Sequence, residues 1–487
     1  MLEWLQWPPA LAFARASTLA AQELAMRSRT SRTAAIVAAL LSSACATPKL
    51  HAAVEARDLG AVRRLLDAGE KVDARDPKEK LTALGWAAAN GSAEIASLLI
   101  ARGADVNAAN GQGYRPLHNA AYFHRGEVVT LLLAKGADPS ARTSDGQTPL
   151  HRALSRYGLD LRSPKDAVPD ADLEAMMGTA ILLVEGGAEP KAALPTGETA
   201  LHLAALTGHR PLVAFLLERG VAVDAKGTDG ITALYAATTA GRLDAAEELL
   251  AHGAQVDART RSRYTPLWFA ARSGAPKLAA LLIEKGADVN ATDAEGTTPL
   301  LAALGTASLA SPAGEKLMRS RGASPAQVAD QRRRLATVEG RWREVAIDLL
   351  AHGADVRAHP PEGPSALLLA SVTGDEEAVR ALLERGAPID EVTTGETALH
   401  AAIAERQAAV VALLLEKGAS VSVVNMSRRT PLHFAAFYLD DPSIVDAIVA
   451  RGADVHARDS QGNTPLEYAV SAKNERAARA LRAHMGR

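Results

Sequence analysis

The sequence predicts an all-α solenoid with short β-hairpin turns, built from about twelve stacked copies of one unit. Three observations predict it. The leucine of a Thr-Pro/Ala-Leu motif recurs at Leu84, Leu117, Leu150, Leu201, Leu234, Leu267, Leu300, Leu367, Leu399, Leu432 and Leu466, and eight of the ten spacings lie within one residue of 33. A fixed period of this length is the signature of a repeat architecture. Within each period two short apolar stripes at helical spacing are separated by glycine. Finally, 48% of the 487 residues are apolar but only 4% are aromatic, so the core must be made mainly of Ala, Leu and Val.

One clean copy justifies the elements in order. Thr199 is placed to cap a helix, as Thr does in the other copies, where Pro often takes the first helical position. Leu201, Ala204 and Ala205 fall on one face, and the alanines are small enough for two helices to approach closely. Gly208 breaks that helix after about two turns. A second helix follows with Val213, Leu216 and Leu217 on its inner stripe, and Gly220 ends it in a left-handed conformation. The stretch from Val221 to Ile231 is extended, with Asp229-Gly230 as a hairpin signal.

A 33-residue helix–turn–helix plus hairpin with a Thr-Pro-Leu-His motif resembles the ankyrin repeat. The motif is complete at Thr148 to His151 and at Thr430 to His433. It carries Ala for Pro at Thr199 to His202 and Thr397 to His400, and starts with Arg at Arg115 to His118. A trailing Gly-Ala-Asp recurs from Gly103, Gly136, Gly286, Gly353 and Gly452. The resemblance covers residues 50–487. Residues 50–69 form an opening half-repeat that suits an N-terminal cap. Residues 70–463 are repeats, and residues 464–487, ending in a charged helix, suit a C-terminal cap.

Two spacings, 51 and 67, carry 18 and 34 extra residues. They place insertions at about 158–173 and 305–343, each between the first and second helix of its unit. A longer second helix is expected from about Asp170 to Val184. Ser324 to Gln327 reads as a capping box opening a long helix over 328–350, with a degenerate repeat as the alternative.

The first 44 residues read as a leader. Met26 to Arg32 holds three arginines and no acid, Thr33 to Leu41 is apolar, and Ser42-Ser43-Ala44 precedes Cys45, the single cysteine of the chain. A basic start, a short apolar run and small residues form a secretory signal pattern. Cysteine at the cut makes residues 26–44 look like a bacterial lipoprotein signal with Cys45 as the lipid-attachment site. Ser42 departs from the usual leucine three residues before that cysteine, and Ala44-Cys45-Ala46 also serves ordinary cleavage. Residues 1–25 fit no such signal and read as an extension upstream of a start at Met26. Residues 45–49 are a linker. The expected location is the periplasm or outer membrane, with secretion, or the cytoplasm if the signal is unused, as alternatives.

Composition and motifs argue against catalysis. One cysteine excludes an intramolecular disulfide framework and any site that needs two thiolates. A formal charge of −2, or −4 with 50 basic against 54 acidic residues once 1–44 are removed, gives no pull toward nucleic acid. There is no His-Glu pair, no Gly-Lys pair and no Gly-x-Ser-x-Gly. Neither cofactor nor metal is expected. His118, His151, His202, His400 and His433 share one repeat position, beside the helix start, where imidazole can bridge backbone and Thr hydroxyl.

Surface recognition remains, and the resemblance implies protein partners bound by hairpin tips and the exposed end of the first helix, with the chain a monomer. Five and six residues after the motif leucine most copies carry small or polar residues. Two carry aromatic pairs instead, Tyr122-Phe123 and Phe437-Tyr438. Tyr114, Tyr264 and Trp268 lie at or near tips, as do Arg261, Arg263, Arg428 and Arg429. Large rings and arginines at exposed positions are candidate anchors; packing onto neighbouring repeats is the competing reading for each ring.

Overall fold

The computed structural model of the chain describes residues 49–155, 168–309, 324, 327, 341–439 and 441–486. Residues 1–48, with Cys45 and the leader, lie outside them, as does most of both insertions. The described residues fall into two compact units that divide between Arg261 and Ser262. Among them are 24 α-helices in twelve consecutive pairs, six pairs in each unit.

The unit before Ser262 begins with α1 (Lys49–Glu55) and α2 (Leu59–Asp67), followed by α3 (Ala83–Asn90), α4 (Ala93–Ala101), α5 (Pro116–Tyr122) and α6 (Gly126–Ala134). Next come α7 (Pro149–Leu154), α8 (Asp170–Glu185), α9 (Ala200–Thr207), α10 (Arg210–Glu218), α11 (Ala233–Thr239) and α12 (Leu243–Ala251). Odd-numbered helices pack on odd and even on even, so each repeat buries its face against the next copy of itself. Alanine makes this possible: Ala204, Ala205 and Ala237 are fully buried, as are Leu201 and Leu234. Gly208 ends α9 at φ 82°, and a Cβ there would come within 2.7 Å of the Arg242 side chain, so glycine is favoured, although His124, Arg406 and Lys473 take positive φ at the same position of other repeats. The first insertion precedes α8, which at 16 residues is the longest described helix and buries Met176, Ala180 and Leu183.

The unit after Arg261 repeats the plan. It comprises α13 (Pro266–Arg272), α14 (Pro276–Glu284), α15 (Pro299–Leu309), α16 (Arg341–Ala351), α17 (Ala366–Thr373) and α18 (Glu376–Glu384). After these come α19 (Ala398–Ala404), α20 (Ala408–Glu416), α21 (Pro431–Tyr438), α22 (Pro442–Ala450), α23 (Pro465–Ser471) and α24 (Glu475–Met485). The second insertion enters between α15 and α16, which still pack as a pair. Trp342 anchors α16, its indole N–H donating to the Arg272 carbonyl at 3.1 Å. Of the long helix expected over 328–350, the portion from Arg341 is described, and Ser324 N–H donates to Gln327 Oε1 at 2.8 Å in the anticipated capping pair.

The connections between repeats differ from the expected hairpins. Among the described residues they contain isolated β-bridges only, at Arg75–Thr82, Ala193–Thr199 and Thr393–Glu396. Each finger makes at most one such bridge, and in several a side-chain oxygen satisfies the turn. Asn110 Oδ1 accepts from the Gln112 and Tyr114 N–H groups, and Asn425 Oδ1 accepts from Ser427 and Arg429. Such Asx turns substitute for strand pairing. Adjacent fingers are then tied by single backbone bonds, such as Ser144 N–H to Gln112 O and Met426 N–H to Gly395 O.

Candidate functional site

The repeated histidines come first, because they decide between chemistry and structure. At Thr148, Thr199, Thr397 and Thr430 the backbone N–H donates to the ring Nδ1 of the histidine three residues on, at 3.1–3.5 Å. An N–H can only donate, so Nδ1 carries no proton and the ring hydrogen sits on Nε2. That hydrogen reaches the next repeat: His118 donates to Ala141 O and Gln147 O, His202 to Ile231 O, His400 to Arg429 O and His433 to Asn463 O, at 3.0–3.2 Å. These side chains are at most 3% exposed. Burial lowers the His118, His151 and His400 imidazoles to about 4, and also lowers His202 and His433. His118, His202, His400 and His433 are neutral inter-repeat bolts, whereas the buried Nε2 of His151 has no hydrogen-bond partner. No group of three or more His, Cys, Asp or Glu side chains could hold a metal ion among the described residues.

The aromatic candidates separate into three groups. In the first unit, Tyr122 and Phe123 are half-buried at the end of α5, their rings edge to face at 4.9 Å. Arg152 of α7 lies 4.1 Å from the Tyr122 ring and 5.0 Å from that of Tyr114. The three side chains thus form a cation–π cluster across two repeats, worth about 1 kcal/mol per close contact.

Tyr264 and Trp268 do not belong to an exposed surface. They are 8% and 6% exposed, with rings 4.2 Å apart. Trp268 stands at the register of the buried histidines, directly after the motif leucine, so its indole fills the space an imidazole fills elsewhere. Their placement near a tip hid an interior role.

The last three repeats carry the third group. Phe437 is 41% exposed and meets Tyr438 edge to face at 4.8 Å. Tyr438 leans on Phe434, and Phe437 faces Tyr468 at 6.1 Å. Arg429 lies 5.1 Å from the Tyr468 ring with Asp459 at 3.6 Å, and the Tyr468 hydroxyl donates to Asp459 at 2.7 Å. Arg428 is exposed at φ 57°, where most copies hold glycine. Arg263 takes the same strained backbone at φ 62°. Burial and the nearby Glu396 and Glu405 charges raise the Tyr438 hydroxyl above its ordinary range.

Residues outside the sequence-derived set complete this surface. The large apolar side chains that stand exposed among the described residues are Val392, Val424, Met426, Phe437, Val470 and Met485. The first five belong to fingers or first-helix ends of the last repeats, with Met426 at 77% exposure. Tyr468 and Arg152 were legible from register, since each follows a Thr-Pro-Leu motif by two residues. Met426 and Val424 lie in finger loops, where no periodic signal singles them out.

Comparison with known proteins agrees with this geometry. Models of three-copy ankyrin repeats match residues 50–143, 174–260 and 336–425, and many-copy models match 249–300 and 414–469. The chain belongs to the ankyrin repeat family. It is 31% identical over 148 residues to an ankyrin repeat protein of fowlpox virus, covering 29% of this chain and 43% of that protein. Over 131 residues it is 35% identical to the B-cell lymphoma 3 protein homolog of Mus musculus, covering 26% and 29%. Over 104 residues it is 36% identical to a transient receptor potential cation channel of Drosophila melanogaster, covering 20% and 9%. The chain spans less than half the length of each of these relatives. Ankyrin repeats imply protein–protein binding, and ankyrin repeat proteins are typically non-catalytic scaffolds.

Proposed function

We propose that this ankyrin repeat protein is exported from a bacterial cell, is held at the envelope by a lipid on Cys45, and binds protein partners there without catalysis of its own. The observation that carries the binding part is the concentration of exposed apolar and aromatic side chains on the fingers and first-helix ends of the last repeats, Phe437 and Met426 foremost. Ordinary surfaces scatter such residues singly, whereas here five stand on fingers or first-helix ends of successive repeats, an accumulation that supports an interaction surface. Export and anchoring are supported by the basic-apolar-small-Cys order of residues 26–45. No described helix is long and apolar enough to cross a membrane, so in this reading the acyl chain supplies the membrane contact, assisted by a second contact because one chain binds only reversibly.

The test is affinity capture from the envelope fraction with the full chain and with Phe437→Ala/Tyr438→Ala. A discrete partner retained by the first and lost from the second supports the reading. Equal capture by both sinks the assignment of this surface. Metabolic acyl labelling of the chain and of Cys45→Ala tests the anchor, and label or membrane partition unchanged in the variant ends that part.

A further inference from the structure

Arg152 stands on α7, two residues after the motif leucine Leu150. The other ten copies of the motif hold Trp, Asn, Leu, Ala, Phe or Tyr at this register, none of them charged. Stacking one repeat on the next therefore does not require a guanidinium there. The preceding repeat holds it between two rings, 4.1 Å from Tyr122 and 5.0 Å from Tyr114. What Arg152 lacks is an anion. Among the described residues its guanidinium donates to no acceptor and pairs with no carboxylate. Its Nε is buried without a partner, which leaves the Nη groups of this half-buried side chain as the donors open to a ligand. The comparable cluster of the last repeats is complete in itself, since Arg429, beside the Tyr468 ring, faces Asp459 at 3.6 Å.

Charge complementarity names the occupant. The neighbouring cations are engaged: Arg115 pairs with Asp138 at 3.3 Å, and Arg125 donates to Ala89 O at 3.1 Å. One open guanidinium answers one negative charge, and its paired N–H groups match the two oxygens of a carboxylate. The Tyr122 hydroxyl has no hydrogen-bond partner among the described residues and supplies a further donor on the same half-buried ring. Arginine and tyrosine side by side are also the residue types on which interfaces concentrate their binding energy. We propose that Arg152, Tyr122 and Tyr114 receive an aspartate or glutamate side chain of a protein partner. The carboxylate takes the Nη groups, and the partner's adjacent carbons rest on the Tyr122 and Phe123 rings. This receptor lies in the unit before Ser262 and is additional to the surface of the last repeats.

The probe is a phage library of random 12-residue peptides, depleted on Arg152→Gln and then panned on the purified full chain. Recovered peptides are titrated as synthetic, fluorescently labelled forms. They should share an Asp or Glu. Changing that residue to Asn or Gln should weaken binding about tenfold in the parent and at most about twofold in Arg152→Gln, the coupling expected of a direct pair. Arg152→Lys keeps the charge without the planar fork and should also lose about tenfold. Tyr122→Phe keeps the ring without the hydroxyl and should lose about threefold, as one hydrogen bond does. Both conservative variants should melt with the parent, so that lost affinity is not lost fold. Peptides without a shared acid, equal loss from the peptide change in both proteins, or an empty selection overturn the proposal. So does phosphoserine in place of the acid if it binds more than tenfold tighter, because the receptor is then one for phosphate. Capture of a partner by the last repeats is read separately and stands under each of these outcomes.

Discussion

Acidification should loosen the repeats through their histidines, and His118 gives the sharpest form of the effect. The folded chain holds His118 neutral, with Nδ1 accepting from Arg115 N–H at 3.2 Å and Nε2 donating to the next repeat. Burial lowers its pKa from 6.5 to about 4. The unfolded chain therefore binds a proton first, and its stability relative to the fold rises as pH falls below 6.5. Stability is complete above that value and is lost progressively down to about pH 4. From pH 7 to pH 5 the linkage amounts to about 2 kcal/mol for one such histidine. His151 and His400, also lowered to about 4, act with the same sign. Urea melts followed by circular dichroism at pH 7, 6 and 5 measure this in the parent chain and in His118→Gln. Glutamine is a natural capping-box partner and retains both an acceptor and a donor. It should reduce stability by about 1 kcal/mol at pH 7 and remove about 2 kcal/mol of the acid-induced loss. Identical pH dependence in the two proteins, or a parent midpoint that rises on acidification, refutes the neutral-bolt account.

Other perturbations separate core from surface. Leu216 is fully buried in α10, so Leu216→Ala should lower stability by about 2–5 kcal/mol in calorimetric or urea melts. Tyr122→Ala loses its contact with Arg152 and should lower stability by about 1 kcal/mol; a loss above about 3 kcal/mol in the same melts identifies Tyr122 as core. Arg428→Gly relieves a left-handed arginine, so its melting midpoint should hold or rise while capture of a partner weakens. Trp268→Ala, by contrast, should destabilise by about 3–5 kcal/mol as a buried aromatic does, and a melt unchanged from the parent shows that the ring is dispensable to packing.

Much of this molecule is legible in its sequence because a repeat samples each structural role many times. The capping threonines, the buried alanines and the histidine position are all averaged over copies, and one physical explanation serves them together. Exposure is harder to read, since it depends on what the next repeat places alongside. Tyr114 and Tyr264 occupy the same register, three residues before the motif leucine. Tyr114 is half-buried against Arg152, whereas Tyr264 is buried because Trp268 replaces the histidine beneath it. The register itself could have indicated this, as every residue directly after the motif leucine in a Thr-Pro-Leu-His copy is buried. Fingers were less legible for another reason. Asx turns and single backbone bonds leave no alternating pattern, so neither the scarcity of β-bridges nor the exposure of Met426 had a periodic signal.

The central claim is that partners dock on the fingers and first-helix ends rather than on the second helices. A photo-crosslinking amino acid in place of Phe437, compared with one in place of exposed Asp446 on α22, tests it most directly in intact cells. The account predicts a discrete protein adduct from position 437 that is absent from position 446. Adducts from 446 with none from 437 contradict it.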